Sequence, residues 1–100
     1  MMIERILPLG SVVTLKNGDG TELLIITRAS IVIDNNKEIY YDYGAVLIPQ
    51  GMATPENIFF FNRETVQEVI FRGYENDDEH QFAEHYDRMI EASPYPKGNL

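Results

Sequence analysis

The residue types that could do chemistry are few in this chain, and their spacing is loose. His80 and Glu84 stand one helical turn apart and could share a metal ion, but pairs of this kind are common on solvated helix faces. His80 and His85 are five residues apart, which spoils the i, i+4 geometry of a zinc-binding helix. Ser11, Ser30, Ser93, Asp42 and the two histidines include the types used in nucleophilic catalysis, yet no nucleophile elbow or other oriented arrangement surrounds them. Asn17-Gly18-Asp19-Gly20 lacks both the lysine and hydroxyl pair of a phosphate loop and the following helix of a dinucleotide site. It reads as a hairpin turn. No catalytic residue, metal ligand or cofactor-binding residue is assigned, and no cofactor is expected.

Binding chemistry is better represented. Tyr40, Tyr41 and Tyr43 flank Asp42, and strand alternation sends Tyr41 and Tyr43 to one face and Tyr40 and Asp42 to the other. One pair serves the core, and the other could offer an amphipathic ring to a partner or lie under the C-terminal helix. Glu75 to Glu91 holds seven carboxylates and one arginine, the composition of a solvated face or of a docking surface for a basic partner. Arg28, Tyr41, Asp42, Tyr43, Asp77, Asp78, Glu84 and Asp87 are therefore the candidate partner-binding residues.

The elements that must position these residues follow from a chain of 100 residues, enough for one domain. Sixteen acidic against eight basic residues give a net charge of −8, which repels phosphate backbones and anionic headgroups and argues against nucleic-acid and membrane-surface binding. Cysteine is absent, so packing rather than disulfides must stabilise the fold. The longest apolar runs, Leu23 to Ile26 and Ile58 to Phe61 among them, are far shorter than the roughly 18 residues needed to span a bilayer. Met1 to Leu9 is interrupted by Glu4, Arg5 and Pro8 and does not read as a secretory signal.

Leu7-Pro8-Leu9-Gly10 predicts a turn into a strand over Ser11 to Lys16. Asn17 to Gly20 predicts a hairpin into Thr21 to Arg28, whose run Leu23 to Ile26 suggests a strand covered on both faces. Ser30 to Asp34 reads as a further short strand, then Glu38 to Tyr43 and Ala45 to Ile48 around Gly44, a position suited to a bulge or close backbone approach. Ile58 to Phe61 reads as the last core strand. Asn62 then caps a predicted helix from Arg63 to about Ile70, with Val66, Val69 and Ile70 at i, i+3, i+4. A second predicted helix runs from Asp77 or Asp78 to about Ala92, carrying Phe82, Tyr86, Met89 and Ile90 on one stripe. The expected fold is α+β: a small, twisted, mostly antiparallel sheet or half-open roll over residues 7–61, packed by two C-terminal helices within 62–92, with a polar tail over 93–100.

Five segments in order carry a family resemblance: Leu7 to Leu15, Leu24 to Arg28, Tyr41 to Gly51, Phe60 to Asn62, and Val69 to Tyr74 before the acidic helix. Over Leu7 to about Phe82 the chain resembles the domain of unknown function 4176 family of Gram-positive Firmicutes. Where the family pattern carries a glycine before the arginine and a glutamate before the second glycine, this chain has Thr27 and Gln50. The resemblance implies a small cytoplasmic protein encoded beside type VII secretion components and the LXG toxins they export, with no catalytic activity attached. An adaptor, accessory or chaperone role follows from that neighbourhood, as does an immunity role; a small-ligand site around Arg28 and Tyr43 is the reading from a third class.

Overall fold

A computed structural model describes residues 5–99. Its strands are β1 (Val12–Leu15), β2 (Leu23–Asp34), β3 (Lys37–Leu47), β4 (Phe59–Phe61) and β5 (Val66–Phe71), followed by one helix, α1 (Asp77–Glu91). The strands form a single antiparallel sheet in the order β4-β3-β2-β1-β5. Short 3-10 turns at Pro55–Asn57 and Arg63–Thr65 enter β4 and β5.

The topology forces curvature. β4 and β5 lie at opposite edges of the strand order, yet only Asn62 to Thr65 separate them. Five extended Cα steps reach about 17 Å, whereas four flat inter-strand gaps would need about 19 Å. The sheet therefore curls its two edges toward each other and remains an open sheet. The backbone N–H of Lys16, just beyond β1, reaches the Thr65 carbonyl at 2.8 Å across that short link.

β2 and β3 form one long hairpin rather than the four shorter segments expected. Asn35 and Asn36 both adopt positive φ, 52° and 65°, the geometry of a two-residue turn that matches strand twist. Register runs unbroken from Asp34↔Lys37 to Thr27↔Gly44, then shifts between Thr27 and Ile25. The irregularity falls on β2 opposite Gly44, where a Cβ would collide with the Thr27 hydroxyl. A close approach at this glycine was expected, and the extra residue lies on the facing strand. Leu23 and Ile25 are buried while Leu24 and Ile26 are half-buried, so this run is covered fully on one face only.

The helix expected from Arg63 to Ile70 does not form. Its first turn is a 3-10 turn, and Val66–Phe71 is strand β5 paired with β1. Two register shifts explain the misleading spacing. Val12 pairs with Phe71, Val13 with Val69, Thr14 with Glu68 and Leu15 with Val66, so β5 carries an extra residue in two places. Val66 and Val69 pair with Leu15 and Val13 and so share one sheet face, and the extra residue between them turns a spacing of two into three, which imitates a helical repeat over so short a stretch. The sheet thus extends to Phe71, and the helical part of the chain is α1 alone. Asn76 caps α1 by accepting the Glu79 N–H at 2.8 Å, and Asp77, Asp78 and Glu79 complement the positive end of the helix dipole.

Val13, Leu23, Ile25, Tyr43, Ala45 and Phe61 of the sheet form the core together with Ile6 and Leu7 of the N-terminal approach and Tyr86 of α1. Phe82, Ala83 and Ile90 complete the helix's packing stripe, while Met89, placed on that stripe by periodicity, is 45% exposed. Among the described residues no helix is long and apolar enough to cross a membrane.

Candidate functional site

The chain's most concentrated polar chemistry gathers around Asp42, whose side chain is fully buried in the middle of β3. A buried carboxylate is tolerable only when its oxygens are occupied. Here Oδ1 accepts the Tyr86 hydroxyl at 2.9 Å, and Oδ2 accepts the Arg63 backbone N–H at 2.9 Å. Arg63 Nε lies 3.4 Å from Oδ2 and Lys97 Nζ 3.2 Å from it. Asn62 accepts the Asp42 N–H through Oδ1 at 3.1 Å and donates from Nδ2 to the Gly98 carbonyl at 2.8 Å. One strand, one 3-10 turn, one helix and the C-terminal tail are thereby tied to a single carboxylate.

The cations in this cluster are shared outward. Arg63 Nη2 donates to Asp87 at 2.8 Å, and its guanidinium lies over the Tyr86 ring, 5.4 Å from the centroid. Lys97 also reaches Glu64 at 3.1 Å. For both cations burial opposes the charge, but the carboxylates prevail and hold the groups above their ordinary values: Asp87 and Asp42 for Arg63, Glu64 and Asp42 for Lys97. Burial pushes the Tyr86 hydroxyl well above the usual tyrosine range, and the Asp42 charge beside it adds to the effect. Arg63, Lys97 and Tyr86 are thus each held in the form they have at neutral pH.

A second polar contact fixes the start of α1. Arg28 Nη1 donates to Glu79 at 2.6 Å and to the Leu7 carbonyl at 3.3 Å, with its guanidinium 4.2 Å above the Phe82 ring. Tyr43, the neighbour across from Arg28 in register, accepts the Leu7 N–H on its hydroxyl at 2.8 Å and packs on Phe61. Burial raises the Tyr43 hydroxyl above the tyrosine range in the same way. Tyr43 lines a cavity of about 120 Å³ with Leu7, Arg63, Val66, Gln67 and Val69, and Arg28 is not among the residues that wall it.

The tail completes the architecture. Tyr40 donates its N–H to the Pro96 carbonyl at 3.0 Å and accepts the Gly98 N–H at 2.8 Å, so the tail lies parallel along β3 on the edge that β4 leaves open. Gly98 lies so close to the Tyr41 ring that a Cβ there would enter it. Tyr41 in turn stacks on Phe60 with centroids 5.9 Å apart.

Of the residues singled out for partner binding, Arg28, Tyr41, Asp42 and Tyr43 are thus spent on internal contacts. Asp77, Asp78, Glu84 and Asp87 lie on the exposed surface of α1, with Asp87 held by Arg63. His80 pairs with Glu75 at 3.2 Å rather than with Glu84. No group of three or more potential metal ligands occurs among the described residues. Asn62, Arg63, Tyr86 and Lys97 were not legible as a site; the available signal was an aspartate inside an apolar strand, which demands partners without naming them. An open groove of about 830 Å³ is walled by Tyr41 and Phe59 to Phe61 and reaches Ile33 and Asp34 at the hairpin tip.

The segments that carried the family resemblance meet in space. Gly73 donates its N–H to the Ser11 hydroxyl at 3.0 Å, Ser11 donates to the Pro8 carbonyl at 2.8 Å, and a Cβ on Gly73 would strike the Leu9 carbonyl. Arg28 and Tyr43 both hold Leu7, and Asn62 holds Asp42. The shared motifs therefore build the fold. No curated protein and no solved structure matches the chain. The family described as Domain of unknown function (DUF4176) matches it over residues 6–82. With its motifs brought together by one sheet and its match covering most of its length, the chain belongs to the domain of unknown function 4176 family.

Proposed function

We propose that this protein is a non-enzymatic interaction module, an accessory, adaptor or chaperone of a type VII secretion locus that engages an LXG toxin or a secretion subunit. One observation carries the reading. The acidic residues that face the body of the fold are paired: Glu79 with Arg28, Asp87 with Arg63, Glu64 with Lys97. By contrast Asp77, Asp78, Glu84 and Glu91 of α1 are exposed, and among the described residues they form no ion pair. Unspent carboxylates on a rigid helix steer a basic partner and set its orientation. The resemblance to proteins encoded beside toxins and their exporters supplies the class of partner.

The test is recovery of the tagged protein from its native operon. A neighbouring toxin or small secretion partner should co-purify, and a variant with Asp77, Asp78 and Glu84 changed to lysine should lose it. Recovery of the wild-type protein alone in every preparation would overturn the proposal. The same acidic face also suits an immunity protein that masks a basic toxin surface. Protection of cells producing the toxin internally marks immunity, whereas an adaptor alters export and leaves survival unchanged.

A further inference from the structure

We infer that the outer edge of β2 at the hairpin arm is a self-association surface, which pairs antiparallel with the same edge of a second copy about a two-fold axis at Val32. The inference uses a different surface from the acidic face of α1 and does not depend on it.

The direction of the backbone groups follows from Tyr40. Its N–H and C=O are both taken by the tail, at Pro96 and Gly98, so they point away from β2. Tyr40 is the register partner of Ile31, and in an antiparallel ladder such a pair is the non-hydrogen-bonded kind. Ile31 therefore turns its own N–H and C=O away from β3, and Ile33, two residues further, does the same. β1 covers β2 only at Leu23 and Leu24, so among the described residues no strand lies beside Ser30 to Asp34 on that side. The side chains there are β-branched and open, Ile31 at 49% and Ile33 at 76% exposure. An exposed edge of this character is a template for strand addition.

The sheet's other long edge is less suited. β5 exposes Val69, Ile70 and Phe71, but it carries two register shifts, and bulges twist an edge away from regular pairing. Ser30 to Asp34 has none.

A second copy fits because the edge complements itself. A two-fold at Val32 places Ile31 opposite the other copy's Ile33 in both directions, so the outward N–H and C=O groups of both strands meet as hydrogen-bonded pairs. Ile31 and Ile33 then cover each other on one face, and the two Val32 side chains meet on the other. The only charge in the stretch, Asp34, falls opposite the second copy's Ser30 and toward its Arg28; a parallel arrangement would set Asp34 against Asp34. Antiparallel pairing is thus selected by charge as well as by symmetry. Each copy carries a net charge of −8, so association strengthens as salt screens the long-range repulsion.

Sedimentation of the full chain from micromolar to submillimolar concentration tests this. The mass should rise from 11.5 kDa toward twice that value, more readily at high salt. Ile33→Lys, at an exposed position, should keep the wild-type thermal melt and abolish the dimer, while Ile70→Lys on β5 should leave it intact. The chain has no cysteine, so Val32→Cys gives a clean report: opposed Cα atoms about 4.5 Å apart on the axis permit an intermolecular disulfide. A monomer at every concentration, a dimer indifferent to Ile33→Lys or lost with Ile70→Lys, or failure of Val32→Cys to cross-link would each overturn the inference.

Discussion

Tyr86 of the helix donates its hydroxyl proton to Oδ1 of Asp42 in the third strand over 2.9 Å, with both side chains buried and 44 residues apart in sequence. This bond joins the charged cluster to the helix that closes the core, alongside the Arg63–Asp87 pair. Removing the donor in Tyr86→Phe leaves a lone pair of a buried carboxylate unmet and should cost about 1–3 kcal/mol, read from urea unfolding midpoints. Asp42→Ala should cost more, about 3–5 kcal/mol, because it leaves Arg63 beside an empty acceptor site. Equal losses for the two variants would contradict this ranking.

The buried tyrosines set the alkaline limit of stability. Tyr43 and Tyr86 are held neutral above the ordinary value of 10.0, chiefly by burial. An unfolded chain releases these protons first, so it binds fewer protons than the native state once pH passes about 10, and stability falls with rising pH from there. Lys97, raised above 10.5 by its carboxylate partners, loses its contribution in the same direction. Stability against urea should be level from neutrality to about pH 9.5 and then decline. Tyr86→Phe should flatten the decline, and an unchanged slope would show that this hydroxyl does not titrate with folding.

Gly73 has no room for a side chain because Leu9 passes directly over it. Gly73→Ala must displace backbone rather than a flexible side-chain end, at about 1–3 kcal/mol, which lowers the melting temperature by roughly 4–8 °C per kcal/mol. Ser11→Ala removes the acceptor of the Gly73 N–H and should give a smaller loss, about 1 kcal/mol. A melt of Gly73→Ala within a degree of wild type would mean that the turn at Leu9 yields easily.

The tail protects one edge of the third strand. Gly98→Ala forces a methyl group into the Tyr41 ring and should detach the tail, releasing the two backbone hydrogen bonds at Tyr40. Amide exchange at Tyr40 should accelerate about tenfold or more, since each bond contributes about 0.5–1.5 kcal/mol. Core amides such as Val13 should be unaffected. Lys97→Met, which keeps the backbone pairing and removes a partly exposed charge, should cost under about 1 kcal/mol.

Much of the fold was legible because local chemistry dictated it. Asn35-Asn36 can adopt positive φ, Asn17-Gly18 can turn, and the stripe of Phe82, Tyr86 and Ile90 can pack only as a helix. These depend on neighbours within a few residues. Val66–Phe71 was misread because its period came from bulges, and bulges exist only in relation to a partner strand; Val13 and Leu15 made the segment a strand. Local propensity over six residues is worth less than one edge of a core ladder.

The amino-acid order alone determined an acidic chain without cysteine, hairpin turns and a C-terminal amphipathic helix, since composition and short-range periodicity carry those properties. Only the tertiary structure decided that Arg28, Tyr43 and Asp42 hold the molecule together, and that Glu79 and Asp87 of the helix are paired while Asp77, Asp78, Glu84 and Glu91 form no ion pair among the described residues. The reason is distance along the chain: Asp42 meets Asn62, Arg63, Tyr86 and Lys97 across 20 to 55 residues, and only the curled sheet brings those partners to it.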